Sequence, residues 1–125
     1  MTSTSRRGPT VLRTTPLARL EPWEPPLRSY WEAYILRAPM IAHYKFTALA
    51  LATYTDHAGL IREDAPVGVD ELAAQTMLAH YKVEHAVLML EYRRLIHCAD
   101  GRPARLILPR SSLALIRKAR ELQAR

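Results

Sequence analysis

Residues 70–108 read DELAAQTMLAHYKVEHAVLMLEYRRLIHCADGRPARLIL, and this stretch decides the fold. The pattern predicts a short helix, a tight turn, a longer helix and a β-hairpin, in that order. Leu72 and Ala73 make the buried side of the first helix. Seven residues after Ala73 a second helix is under way. In it Val83, Val87 and Leu90 recur at i, i+4 and i+7, one face of a helix, with Leu95 following at a looser spacing. Asp100-Gly101 then marks a turn between two short apolar runs, residues 95–98 and 106–108.

Further helices flank this unit. Ser29-Tyr30-Trp31-Glu32 has the S-x-x-E form of a capping box, which predicts a helix from Tyr30 with Trp31, Tyr34 and Ile35 on one face. Pro39 ends that helix or opens the next, because proline fits a first helical turn. Residues 40–55 are rich in Ala and Leu, and Ile41, Phe46, Leu49 and Thr53 follow helical spacing. Residues 56–68, with Gly59, Pro66 and Gly68, read as a loop. The two helices of the deciding stretch are expected at residues 69–76 and 79–94. Asp70 and Glu71 sit at the positive end of the first. After Pro109, Ser111 or Ser112 caps a last amphipathic helix with Leu113, Leu115, Ile116, Ala119 and Leu122 on its apolar side. At about 12 residues that helix is too short to stand alone. It is expected to pack on its own domain or on a second copy, and a homodimer formed through the first and last helices is expected, with these apolar residues at its contact.

At the other end, residues 1–27 hold Pro9, Pro16, Pro22, Pro25 and Pro26 with little apolar periodicity, and are expected to form a disordered or extended basic arm. The domain proper is expected over residues 28–125. The chain, at 125 residues, has room for one domain of ordinary size. A single cysteine, Cys98, excludes an internal disulfide. No apolar run approaches the roughly 18–20 residues that span a bilayer, and the N-terminus lacks an apolar segment behind its basic residues. A cytoplasmic protein without membrane association is expected.

The net charge of +6 is unevenly spread. Five arginines against Glu21 and Glu24 leave residues 1–28 at +3. Residues 29–101 stand at −3, and residues 102–125, with seven basic groups against Glu121, at +6. Basic charge on both tails and on the hairpin points to a polyanionic partner, since phosphate neutralisation supplies most non-specific DNA affinity. Tail arginines that merely favour solubility are the plainer alternative.

Residues 42–108 resemble the winged helix-turn-helix domains of bacterial transcriptional regulators and of plasmid or phage replication proteins. Such domains carry an apolar first helix, a Y-x-D-x-x-G loop, and then D-E-L-A-x-x-T-G-L-S-x-x-T-V-x-x-A-L-x-x-L-x-x-x-G-L-I. The matching residues are Tyr54, Asp56 and Gly59, then Asp70, Glu71, Leu72, Ala73, Thr76, Leu78, Val83, Ala86, Val87, Leu90, Leu95 and Ile96. Three positions depart from the pattern. Met77 replaces the turn glycine, Ala79 replaces the serine that caps the recognition helix, and Arg94 replaces the glycine before the wing. The lost cap costs about 1 kcal/mol of helix stability. The resemblance implies a mainly α fold with a small β-hairpin wing, and double-stranded DNA as the partner.

On that reading the exposed face of the recognition helix offers His80, Tyr81, Lys82, Glu84, His85 and Leu88. Lys82 suits phosphate or guanine, Tyr81 phosphate or sugar, and the two histidines bases or phosphates. Glu84 suits a cytosine amino group. Arg102 and Arg105 flank Pro103 in the wing, where they are expected to straddle the DNA backbone or reach the minor groove. Arg6 and Arg7 resemble a minor-groove arm in composition alone. His43, His57, His80, His85 and His97 form no H-x3-H pair, and with Cys98 they give no metal-ligand spacing. No glycine-rich phosphate loop or G-x-S-x-G elbow is present, so neither catalysis nor a cofactor or small-molecule ligand is expected. The leading function is thus sequence-specific DNA binding, in transcription or in plasmid or phage replication or maintenance. The alternative is a winged-helix module that binds another protein, which the acidic middle of the chain favours.

Overall fold

A computed structural model describes residues 20–124. Five α-helices and a two-stranded antiparallel sheet are seen among them: α1 (Leu27–Arg37), α2 (Ala42–Ala52), α3 (Val69–Thr76), α4 (His80–Tyr92), β1 (Ile96–Ala99), β2 (Arg102–Leu106) and α5 (Arg110–Ala124). The fold is therefore mainly α with a small β-hairpin. Two compact units divide it; one is Leu20–Ile107, and the segment Leu108–Arg125 belongs to the other. None of the described helices is long and apolar enough to cross a membrane.

Within Leu20–Ile107, α2 is the central element and packs against α1, α3 and α4. Its sequence AHYKFTALALA is apolar around most of its circumference, as a helix with neighbours on several sides must be. Ala48, Leu51 and Ala52 are fully buried. Thr47 is buried as well, and its hydroxyl is satisfied by donating to the His43 carbonyl at 2.9 Å. Trp31 and Ile35 of α1, Leu72 of α3, Val83 and Leu90 of α4, and Ile96 and Leu106 of the hairpin complete the core.

α1 begins at Leu27, three residues before the expected start. Ser29 does not cap it. The Ser29 N–H donates to the Pro26 carbonyl, and Glu32, the reciprocal half of the expected capping box, accepts instead from Arg28 Nε at 2.9 Å. Burial of Leu27 and Tyr30 favours the extra turn. Order extends further back still. Tyr30 Oη donates to a Glu24 carboxylate oxygen at 2.8 Å, and the Leu27 N–H donates to the His57 carbonyl at 2.9 Å. The rest of the expected arm, residues 1–19, lies outside the described residues.

The Y-x-D-x-x-G loop has a physical explanation. The Asp56 carboxylate accepts from the Ala58 and Leu60 N–H groups at 3.0 and 2.9 Å, folding the backbone around itself. Gly59 takes φ +88°, and a Cβ there would lie 2.6 Å from Leu27 Cδ2. The loop thereby delivers residues 59–61 to β2: the Leu106 N–H donates to the Gly59 carbonyl at 2.8 Å, and the Ile61 N–H donates to the Ala104 carbonyl at 2.9 Å.

The hairpin turns at Asp100-Gly101, both with positive φ (53° and 77°), the requirement of a type I′ turn whose twist matches the strands. The register shifts by one between His97 and Cys98, so Ala104 is the extra residue on β2. It is the carbonyl of this bulged residue that meets Ile61.

α5 starts at Arg110, and the Leu113 N–H donates to the Pro109 carbonyl at 3.0 Å. Ser111 and Ser112 therefore lie inside its first turn rather than capping it, and the helix spans 15 residues rather than about 12.

Candidate nucleic-acid interface

α3 and α4 are joined by residues 77–79, and the junction is made without the usual residues. Met77 ends α3 in the left-handed conformation at φ 61°, with its side chain 88% exposed. That conformation is steeply disfavoured for any residue with a Cβ, by roughly 1–2 kcal/mol. Ala79 stands at the N-cap of α4 in extended conformation with no side-chain hydrogen bond. At the start of α3 the cap is Gly68, whose N–H donates to Glu71 Oε1 at 2.9 Å.

The far end of α4 repeats the pattern. Arg94 takes φ 61°, the Leu95 N–H donates to the Leu90 carbonyl and the Arg94 N–H to the Glu91 carbonyl, both at 2.9 Å. These two bonds are a Schellman motif with arginine at the position glycine usually holds. Leu90 and Leu95, both buried, supply the apolar contact that accompanies it. So both departures from glycine keep the left-handed backbone and bear its cost.

α4 buries Val83, Ala86 and Leu90 and presents its other side to solvent. His80, Tyr81, Glu84, His85, Leu88, Glu91 and Tyr92 are exposed, and Lys82 is half-buried on the flank. The most exposed of the apolar groups are Tyr81 at 68%, Leu88 at 62% and Tyr92 at 81%. Two of the expected contact residues have protein partners. His80 Nδ1 donates to Asp70 Oδ1 at 3.0 Å. His85 lies edge-on to Tyr44, whose hydroxyl is 3.3 Å from Nδ1.

The hairpin arginines have surroundings within the protein that the sequence does not signal. Arg102 Nη1 donates to the Glu63 carbonyl at 2.7 Å and Nη2 to the Ala65 carbonyl at 2.8 Å. Its guanidinium clamps the hairpin to the loop before α3. Arg105 lies mid-strand opposite His97, half-buried, and its Nε is buried with no hydrogen-bond partner among the described residues. Neither the Asp70–His80 pair nor the Arg102 clamp has a sequence signal, because both join residues brought together across turns and loops.

The five α5 residues expected at a dimer contact do not share one environment. Leu113 and Ile116 are buried and Ala119 is half-buried, whereas Leu115 and Leu122 are 71% and 60% exposed. Cys98, on β1, is half-buried. Burial first, then the charge and hydrogen bond of Glu91, push its thiol up from 9.0 to about 11. Among the described residues no group of three or more His, Cys, Asp or Glu is placed to hold a metal ion. No protein-family model, curated protein or solved structure matches the chain.

Proposed function

We propose that this chain is a DNA-binding protein of the winged helix-turn-helix type, acting in transcription or in replication or maintenance of a plasmid or phage, with α4 presented to the major groove. The observation that carries the reading is the exposed outer face of α4, held between two left-handed turns at Met77 and Arg94. On one side it follows the short helix α3. On the other it runs into a hairpin that is hydrogen-bonded to residues 59–61. This is the element order in which a second helix enters the groove and a hairpin flanks it.

Affinity on this reading comes mostly from basic residues outside α4, to which Lys82, the sole lysine or arginine of α4, adds one phosphate contact. A second copy is part of the proposal, since two-fold dimers read paired half-sites. Leu115 and Leu122 are the α5 residues open to that contact. The test is binding of the full chain to labelled random duplex across a salt series. A steep fall in affinity with salt is expected, and its absence overturns the reading.

One observation favours a second reading. The exposed stripe Tyr81, Leu88 and Tyr92 is apolar, and Glu84 and Glu91 beside it repel phosphate. A face of that composition suits a protein partner. Weakened DNA binding by Lys82→Ala separates the two, because a protein-docking face would leave any residual tail-mediated DNA affinity unchanged.

A further inference from the structure

The sequence of α4, HYKVEHAVLMLEY, contains no arginine, asparagine or glutamine. The two-pronged contacts that read guanine through arginine and adenine through asparagine or glutamine are therefore missing from it. Lys82, the remaining cation, is half-buried on the flank of the outer face. Beside His80 and His85, which are engaged by Asp70 and Tyr44, the face exposes Tyr81, Glu84 and Leu88, spaced i, i+3 and i+7 along one line of the helix. At 1.5 Å of rise per residue, those three side chains are spread over about 10 Å, the span of roughly three base steps.

Each has one good match in the major groove. Tyr81 and Leu88, at 68% and 62% exposure, offer apolar surface, and the apolar feature of the groove is the thymine C5-methyl group. Glu84 offers acceptors alone, and the cytosine N4 amino group is a donor for it. Adenine also has an amino group, but its N7 acceptor lies beside it and repels a carboxylate. Guanine presents two acceptors and is repelled outright. Asp70, hydrogen-bonded to His80, adds a second carboxylate at the amino end of α4. Both features that these three residues can read belong to pyrimidines.

We infer that α4 reads the pyrimidine strand of its site, with Tyr81 and Leu88 against thymine methyl groups and Glu84 accepting from a cytosine amino group. This rests on the DNA-binding reading above and adds which strand and which groups are recognised. The acidic, apolar face then selects sequence, and Lys82 on its flank joins the basic residues outside α4 in holding the phosphates.

The experiment begins with selection of bound duplexes from a random pool by the full chain. Enriched sites are expected to hold a run of about three pyrimidines on one strand. Two substitutions in such a site then separate the strands. Uracil for thymine removes the methyl groups and is expected to weaken binding about fourfold per methyl, the equivalent of ~0.8 kcal/mol for one buried carbon. A 7-deazapurine on the opposite strand removes the N7 acceptor and is expected to leave binding unchanged. Leu88→Ala should abolish the difference between thymine and uracil at one position. Glu84→Gln should move the preference at its position from cytosine to adenine, since glutamine pairs with N6 and N7. A chain that binds and selects DNA but is indifferent to uracil, or is weakened by the 7-deazapurine, overturns the inference and leaves the DNA-binding reading standing. A chain that binds no duplex overturns both.

Discussion

The indole Nε1–H of Trp31 donates to the backbone carbonyl of Leu95 at 2.9 Å, joining the first helix to the residue that opens the hairpin, 64 positions further on. Trp31 is fully buried, and the Leu95 carbonyl accepts a second bond from the Ile107 N–H at 2.8 Å. The contact sets where α4 hands over to β1. Trp31→Phe keeps most of the apolar volume and removes the donor, while Leu95 keeps its other partner. The expected loss is roughly 1–3 kcal/mol in urea unfolding. Trp31→Ala should cost more, about 3–5 kcal/mol.

The turn before α4 carries avoidable strain. Met77 is left-handed and 88% exposed, so its side chain contributes little to the core. Met77→Gly should stabilise the protein by up to ~1 kcal/mol, the relief of the left-handed backbone less the added freedom of glycine in the unfolded chain. Ala79→Ser supplies the missing cap and should add about 1 kcal/mol. Both are read as rises in melting temperature, and a fall in either variant would contradict the backbone geometry at that position.

The Cys98 thiol is pushed up to about 11, first by burial and then by Glu91. At pH 8 its thiolate fraction is then lower than in the unfolded chain by a factor of about 100, and alkylation of the native protein should be slower to match. The folded state holds the proton more tightly than the unfolded state does. This contribution to stability is therefore fully present below pH 9 and is lost as pH rises from about 9 to 11. Glu91→Gln should speed alkylation part of the way, because burial, the larger cause, remains.

The proposed dimer is open to a direct check. Leu115 and Leu122 are exposed and Leu113 is buried, so Leu115→Asp should weaken self-association without unfolding the chain. Leu113→Asp should unfold it, by placing a charge at a buried position. Sedimentation velocity across a concentration series distinguishes them, and a monomer mass at every concentration for the unaltered chain would remove the dimer from the account.

How much of this was legible in the sequence follows from what each signal measures. Periodicity reports faces, and it located α3, α4 and the buried residues Leu72, Val83 and Leu90. The Asp100-Gly101 turn was legible because its two positive φ values suit those residue types. Capping signals were less reliable. Ser29 and Glu32 had the right spacing, but burial of Leu27 and the Arg28–Glu32 pair drew the helix start back. The candidate site was legible as a helix face and not as a set of free side chains. His80 and His85 are engaged by Asp70 and Tyr44, and Arg102 by the carbonyls of Glu63 and Ala65. Those pairings join residues distant in sequence, and no local pattern encodes them.

The central claim is that α4 faces DNA. Its most direct test is the affinity of the full chain and of Lys82→Ala for a selected duplex between 50 and 200 mM salt. The account predicts salt-dependent binding by the full chain, and a loss for Lys82→Ala of roughly 1–3 kcal/mol, of similar size on the selected duplex and on random sequence, as a phosphate contact requires. Equal affinity of the two proteins for the selected duplex, or no binding by the full chain at low salt, would contradict it.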